Sequence, residues 1–359
     1  MNTDNMNTTM NNNKSLFFKL AFAATCLAFV VILLGAYTRL ADAGLGCPDW
    51  PGCYGHVGVP KHVDDVAAAN EAYPERPVEA AKAWKEMIHR YFASTLGLLI
   101  FAIGIIAIKK RQEPNQTFKL PIFLMVLVVF QGMLGMWTVT IKLHPTIVMS
   151  HLMGGMTTLS ILWWLTLRSG RLFKFEHVDS VYLEKLKTPA LIGLVIVVFQ
   201  VMLGGWTSSN YAALHCVDFP TCNGQEYLPA MNFAEGFNFL QEFGKNYEFG
   251  LMSNEARIAI HTTHRIGAVI TALFVIWLGL KLLLTPAYRP LKNAGKALLA
   301  VVLLQFILGV SNVLLSLPLL VAVAHNGGGA LLILTLVTLN HLVRNQELRV
   351  NANKLKSKK

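Results

Sequence analysis

The sequence predicts an all-α polytopic membrane protein: eight transmembrane helices arranged as two tandem four-helix bundles, related by a pseudo-two-fold along the membrane normal. Three observations carry that reading. Of 359 residues, 54% are hydrophobic and 14% charged, with mean hydropathy +0.47, whereas a soluble domain carries about a quarter charged residues. Eight apolar runs are long enough to cross a bilayer, which takes roughly 20 residues each. The chain also repeats itself, the last four runs copying the first four.

In chain order, residues 1–15 open with MNTDNMNTTMNNN, a composition that predicts a disordered cytoplasmic start. The N-terminal half, 16–170, holds spans at 16–38, 88–108, 120–140 and 145–167. The C-terminal half, 188–343, holds spans at 188–209, 258–283, 296–316 and 319–341. A basic cytoplasmic tail, 344–359, ends the chain. Each span is rich in Leu, Ile, Val and Phe, and most close on a basic residue or a turn former. A cleaved signal peptide is the competing reading of the first span, with Lys14 and Lys19 as its basic region. The apolar run is long for that, and the surroundings of Cys47 recur deep inside the chain.

Orientation follows from Lys and Arg. With the N-terminus inside, the inner segments carry 21 Lys and Arg against 6 Asp and Glu, and the outer segments 10 against 14, which accounts for all 31 and 20. Both termini are therefore expected in the cytoplasm, and the long loops 39–87 and 210–257 on the external face. The net charge of +11 is topological and gives no reason to expect nucleic acid.

The repeat is read directly. LGAYTRLADAGLGCPDWPGCYG (34–55) lies over LGGWTSSNYAALHCVDFPTCNG (203–224) without a gap, His89-Arg90 over His264-Arg265, and Gln131, Gly135, His151 and Gly154-Gly155 over Gln305, Gly309, His325 and Gly328-Gly329. Each half has an even number of spans, so the two have the same orientation.

Four histidines therefore sit at equivalent places, His89 with His151 and His264 with His325, all near the outer ends of their spans. Ionisable residues inside a span are costly and mark function. Histidines that merely bind helices together are the plainer explanation for any one of them. Two duplicated pairs at one depth point instead to axial ligands of haem iron, whereas zinc or copper would want further Cys, His or carboxylate ligands. Gly154-Gly155 and Gly328-Gly329 leave room for a flat macrocycle or for close helix packing. Arg90 and Arg265 could meet haem propionates or snorkel to the interface.

The halves differ where Glu86 precedes His89 by three residues and His261 precedes His264. That spacing puts Glu86 on the ligand's face of the helix, where a carboxylate could stabilise a developing cation or move a proton; a solvated Glu at the helix mouth is the alternative. His261 is a neighbour of the second pair. Cys47 and Cys53 share a C-x5-C pattern with Cys216 and Cys222, on the side where disulfides persist. Of three connectivities, repeat symmetry favours 47–53 and 216–222. A structural clip, a redox role for the first pair, and a metal site with His56 or His215 all remain open. Cys26 reads as packing.

Eight spans in two halves, GLGCPDWPGCYG in the first outer loop, E-x-x-H-R opening the second span, and paired His in the later spans resemble haem A synthase, over nearly the whole chain. The resemblance implies conversion of haem O to haem A by oxidation of the C8 methyl to a formyl group, for haem-copper terminal oxidases. It implies His264 and His325 as ligands of a resident haem b, His89 and His151 as the haem O site, and Glu86 as the catalytic carboxylate. The cysteine pairs resemble those of the bacterial branch in which both outer loops form disulfides. Haem O synthase, the terminal oxidase or its assembly factors, and a membrane electron acceptor are the implied partners, and the bacterial cytoplasmic (inner) membrane the implied location. Two other function classes stand beside it: a di-haem b cytochrome relaying electrons without modifying haem, and a transporter built on parallel repeats.

Overall fold

The computed structural model describes residues 3–112, 118–170, 172–173, 180–224, 229–284 and 288–344. Among the described residues ten helices follow one another: α1 (Thr3–Leu40), α2 (Val63–Ala72), α3 (Ala80–Lys109), α4 (Lys119–Thr140), α5 (Pro145–Ser169), α6 (Ser180–Ser209), α7 (Phe233–Gly236), α8 (Asn254–Leu283), α9 (Arg289–Leu314) and α10 (Leu319–Arg344). Among the described residues there is no named strand, only an isolated bridge between Cys53 and His56. Eight helices are long and apolar enough to cross a membrane, the first of them over Leu16–Leu40, so the chain is a multi-pass membrane protein.

The expected spans and the helices coincide closely, with two kinds of difference. The backbone of α1 is helical back to Thr3, through the Asn-rich stretch expected to be disordered; once the apolar span nucleates a helix, adding residues to its end costs little. The second, fifth, sixth and seventh spanning helices begin eight, eight, four and seven residues earlier than their apolar runs, at Ala80, Ser180, Asn254 and Arg289. The first turns over Ala80 to Met87 and Asn254 to Arg257 carry charge and small residues, which hydropathy passes over. The basic tail beyond Arg344, the middle of the 109–119 connection and residues 174–179 lie outside the described residues.

Helix neighbours define the architecture. α1, α3, α4 and α5 close a ring in which α3 touches α1 and α4 but not α5; α6, α8, α9 and α10 close another in which α8 touches α6 and α9 but not α10. The rings meet through α1 against α10, α5 against α6 and α5 against α10. Ladder-satisfied helices are the form an apolar chain must take in lipid, because no water is present to meet free backbone groups.

The main core lies towards the ends of the helices away from the disulfide loops. Ala21, Ala24 and Ala28 of α1, Leu159 and Leu162 of α5, Leu278 of α8 and Leu336 of α10 belong to it, all buried. Small residues on α1 let its neighbours approach. A polar tie crosses the seam between rings, Trp163 Nε1 donating to Thr338 Oγ1 at 2.8 Å, and another lies within the second ring, Asn340 Nδ2 donating to Ala190 O at 2.8 Å. With that end closed by packing, the loop end is where a cavity can open.

Candidate functional site

The first ring holds a cavity of about 420 Å³ whose wall includes Glu86, His89, Arg90 and His151. His89 and His151 stand on α3 and α5, which face each other diagonally across the ring. Their ring centroids are 6.5 Å apart and their planes nearly perpendicular, at 86°. Two imidazoles either side of one metal ion, with nitrogen–metal bonds of about 2 Å, have centroids roughly 6–6.5 Å apart, so the pair fits one iron.

A glycine on a neighbouring helix lies against each of the four histidines. A Cβ on Gly35 would come 3.0 Å from His89 Cε1, on Gly135 3.4 Å from His151 Cε1, on Gly204 3.1 Å from His264 Cε1 and on Gly309 3.2 Å from His325 Cε1. The glycines let each ring press against a backbone, which fixes its plane. Nδ1 of His89, of His151 and of His325 is buried without a hydrogen-bond partner, and the backbone of Val31, Gln131 and Gln305 lies beside the three rings in turn. A metal-bound imidazole wants an acceptor behind it.

Gly154 and Gly328, where room for a macrocycle was one expectation, serve packing: a Cβ on either would strike the Gln131 or Gln305 side chain. Gly155 does line the cavity.

Glu86 is not a solvated residue at a helix mouth. It is 4% exposed, and its Oε2 accepts from the Cys47 backbone N–H at 2.9 Å. Its Oε1 accepts from Arg90 Nη2 at 2.5 Å, one helical turn away. Arg90 Nη1 in turn donates to Asp49 O at 3.0 Å and Gly52 O at 2.6 Å. The guanidinium thus binds the carboxylate to the first outer loop, which the Cys47–Cys53 disulfide closes. Within the same loop Asp49 accepts from Tyr54 N at 2.6 Å and Gly55 N at 2.7 Å.

The second ring repeats the outline with other residues. Cys216 and Cys222 form its disulfide. Arg265 donates to Cys216 O at 2.7 Å and Thr221 O at 3.0 Å, the counterpart of Arg90's grip. His261, in the place of Glu86, is buried with Nδ1 unpaired. Gln200, in the register of Val31, brings its amide 3.0 Å from His264 Nδ1. An amide oxygen in that place would accept from Nδ1–H and leave Nε2 for a metal.

Both cysteine pairs being disulfides, and no cluster of three metal-ligating side chains occurring among the described residues, the loop metal site has no support. Cys26 is exposed rather than packed, as a lipid-facing position allows. His144 is a structural residue: buried, stacked on Phe243 and bonded through Nε2 to Gln241 O at 3.1 Å.

Inspection of the motifs alone missed Arg39 and Gln200. The signal that could have found them is the one that found Glu86, namely an unlike residue in the repeat register: Arg39 lies over Ser208, and Val31 over Gln200.

Comparison with known proteins comes from the whole chain. The COX15-CtaA family model, described as cytochrome oxidase assembly protein, matches residues 18–337. A heme A synthase of Shewanella oneidensis is 47% identical over 314 residues, 88% of this chain and 92% of that protein. Heme A synthases of Caulobacter sp. (strain K31) and Halalkalibacterium halodurans are each 26% identical, over 90% and 84% of this chain and 94% and 88% of their own lengths.

Proposed function

The chain belongs to the COX15-CtaA family of cytochrome oxidase assembly proteins, and from that membership and its likeness to heme A synthases along nearly its whole length we propose that it is a haem A synthase, an oxidoreductase that takes haem O and yields haem A. The observation that carries the reading in the structure itself is a buried carboxylate, Glu86, in the wall of the same cavity as two histidines 6.5 Å apart.

We assign haem O to the first ring with His89 and His151 as iron ligands, and a resident haem b to the second with His264 and His325. The resident haem would supply a place for electrons to go. The reaction turns the C8 methyl into a formyl group, which with water as the oxygen source releases four electrons to the membrane acceptor and four protons, and removing electrons from that carbon builds positive charge beside the macrocycle. Glu86 is placed to meet that charge and to take a proton at Oε1 or Oε2. The Cys47 N–H and Arg90 hold the carboxylate in one orientation, which is what preorganisation requires. Arg90 and Arg265 hold the outer loops down over the ligands and stand next to where propionates would lie. His261, an imidazole where the first ring has a carboxylate, suits a site that carries electrons rather than one that modifies its haem.

The Lys and Arg distribution supports both termini in the cytoplasm, and the disulfides support the loops on the external face of a bacterial inner membrane. The conserved neighbour order of the two rings supports a parallel repeat with a two-fold along the membrane normal. Haem O synthase, a haem-copper oxidase or its assembly factors, and a membrane electron acceptor are the partners such a reaction requires.

The test is haem extraction from membranes of a host that makes haem O and lacks haem A. Haem A or its hydroxylated precursor is expected only when this chain is expressed. Haem O left unconverted by folded, inserted protein refutes the reading and leaves a di-haem cytochrome.

A further inference from the structure

Arg39 ends α1 inside the wall of the first cavity. Nη2 donates to Ser208 O at 2.6 Å, and Cζ sits 3.8 Å from the centroid of the Tyr211 ring. Its Nε is buried without a hydrogen-bond partner. Among the described residues it forms no ion pair. Asp42 and Glu248 are the carboxylates whose charge reaches it, but neither is in contact, and Glu248 is paired with Arg76 at 2.7 Å.

A guanidinium is always charged, and holding it partly away from water without a counter-ion is costly. The carbonyl of Ser208, the aromatic face and the C-terminal end of α1 offset part of that. None of them uses Nε, and none is anionic. Arg90, the other arginine in the wall, is spent on Glu86 and the loop carbonyls. The second ring has Ser208 in the register of Arg39, so the cation belongs to one site of the two, the one that also carries the carboxylate.

We propose that Arg39 is the anchor for a carboxylate of the ligand in the first cavity, a propionate of haem O, and that it thereby sets which edge of the macrocycle meets Glu86. This rests on the assignment of haem O to that cavity. A planar fork matches a carboxylate with two parallel bonds, and the C8 methyl shares its pyrrole ring with one propionate, so fixing that carboxylate limits where the methyl can lie.

The experiment is a Soret titration of purified protein, its second haem in place, with haem O and with haem O dimethyl ester. Wild type is expected to bind the acid more tightly than the ester. Arg39→Gln should weaken the acid by roughly ten- to a hundredfold, the range for hydrogen bonds to charged groups, and leave the ester unchanged. Arg39→Lys, which keeps the charge and loses the fork, should fall between. Unchanged haem O binding in Arg39→Gln overturns the anchor, and so does equal weakening of acid and ester, which is the mark of a structural tether to Ser208 and Tyr211. If Arg39→Gln fails to fold, judged by the second-site haem spectrum, Arg39→Lys decides by the same comparison. Wild type that converts haem O while Arg39→Gln binds it normally sinks the anchor alone; wild type that leaves haem O unconverted in the extraction assay sinks the functional assignment with it.

Discussion

A methyl group added at Gly35 or Gly204 would fall 3.0 or 3.1 Å from a histidine ring carbon, closer than carbon atoms sit in packed interiors. Gly35→Ala is therefore expected to displace His89 and weaken haem O binding on the order of tenfold, with the second haem retained. Gly204→Ala is expected to reduce haem content and low-spin absorbance at the second site instead. Losses at both sites in either variant would show that these glycines serve general packing. For Glu86→Gln the amide oxygen can still accept from the Cys47 N–H, so shape and both haems are expected to persist while haem A yield falls at least about tenfold, the scale of one lost acid–base or electrostatic contribution. Undiminished yield would remove Glu86 from the chemistry.

The outer loops act as elements because each is bonded to the helix that bears a ligand. Cys47 supplies both a disulfide sulfur and the N–H that holds Glu86, whereas Cys216 supplies a carbonyl to Arg265. Cys47→Ser should thus cost more haem A than Cys216→Ser in the extraction assay; equal losses would mark both disulfides as clips. A pH-dependent clasp ties α7 to α8: Glu235 accepts from Ser253 N at 2.7 Å and Ser253 Oγ at 2.6 Å, and Ser253 caps α8. Those bonds hold the Glu235 carboxyl below its ordinary range. The stabilisation is present above the unfolded carboxylate pKa, about 4.3, and is lost as pH falls through the lower folded value. Hydrogen-exchange protection over 233–236 and 254–257, taken relative to the intrinsic rate at each pH, should fall in acid in the wild type, and Glu235→Gln should abolish that pH dependence.

Over the whole molecule, the eight spans were legible because apolar run length reports bilayer crossing directly. α2, α7 and the first turns of α3 were not, since short helices over loop sequence such as VDDVAAANEA carry no membrane-length apolar run. The histidines and Glu86 were legible from the repeat, and the disulfide pairing from its symmetry. Arg39 stands out in the repeat register over Ser208, but that difference does not show a charge without a counter-ion, which only three-dimensional neighbours reveal. The first cavity is also walled by Gly204, Gly205 and Ser208 of α6 and Asn326 of α10, so Ser208→Leu, a change in the second half, is expected to impair haem O binding while the second haem stays; a variant that binds haem O as wild type does would remove α6 from the wall. That shared wall means the two rings are not separable modules. The N-terminal helices by themselves leave the first cavity without the lining that α6 and α10 supply, so the site for one ligand is built in part by the ring that holds the other.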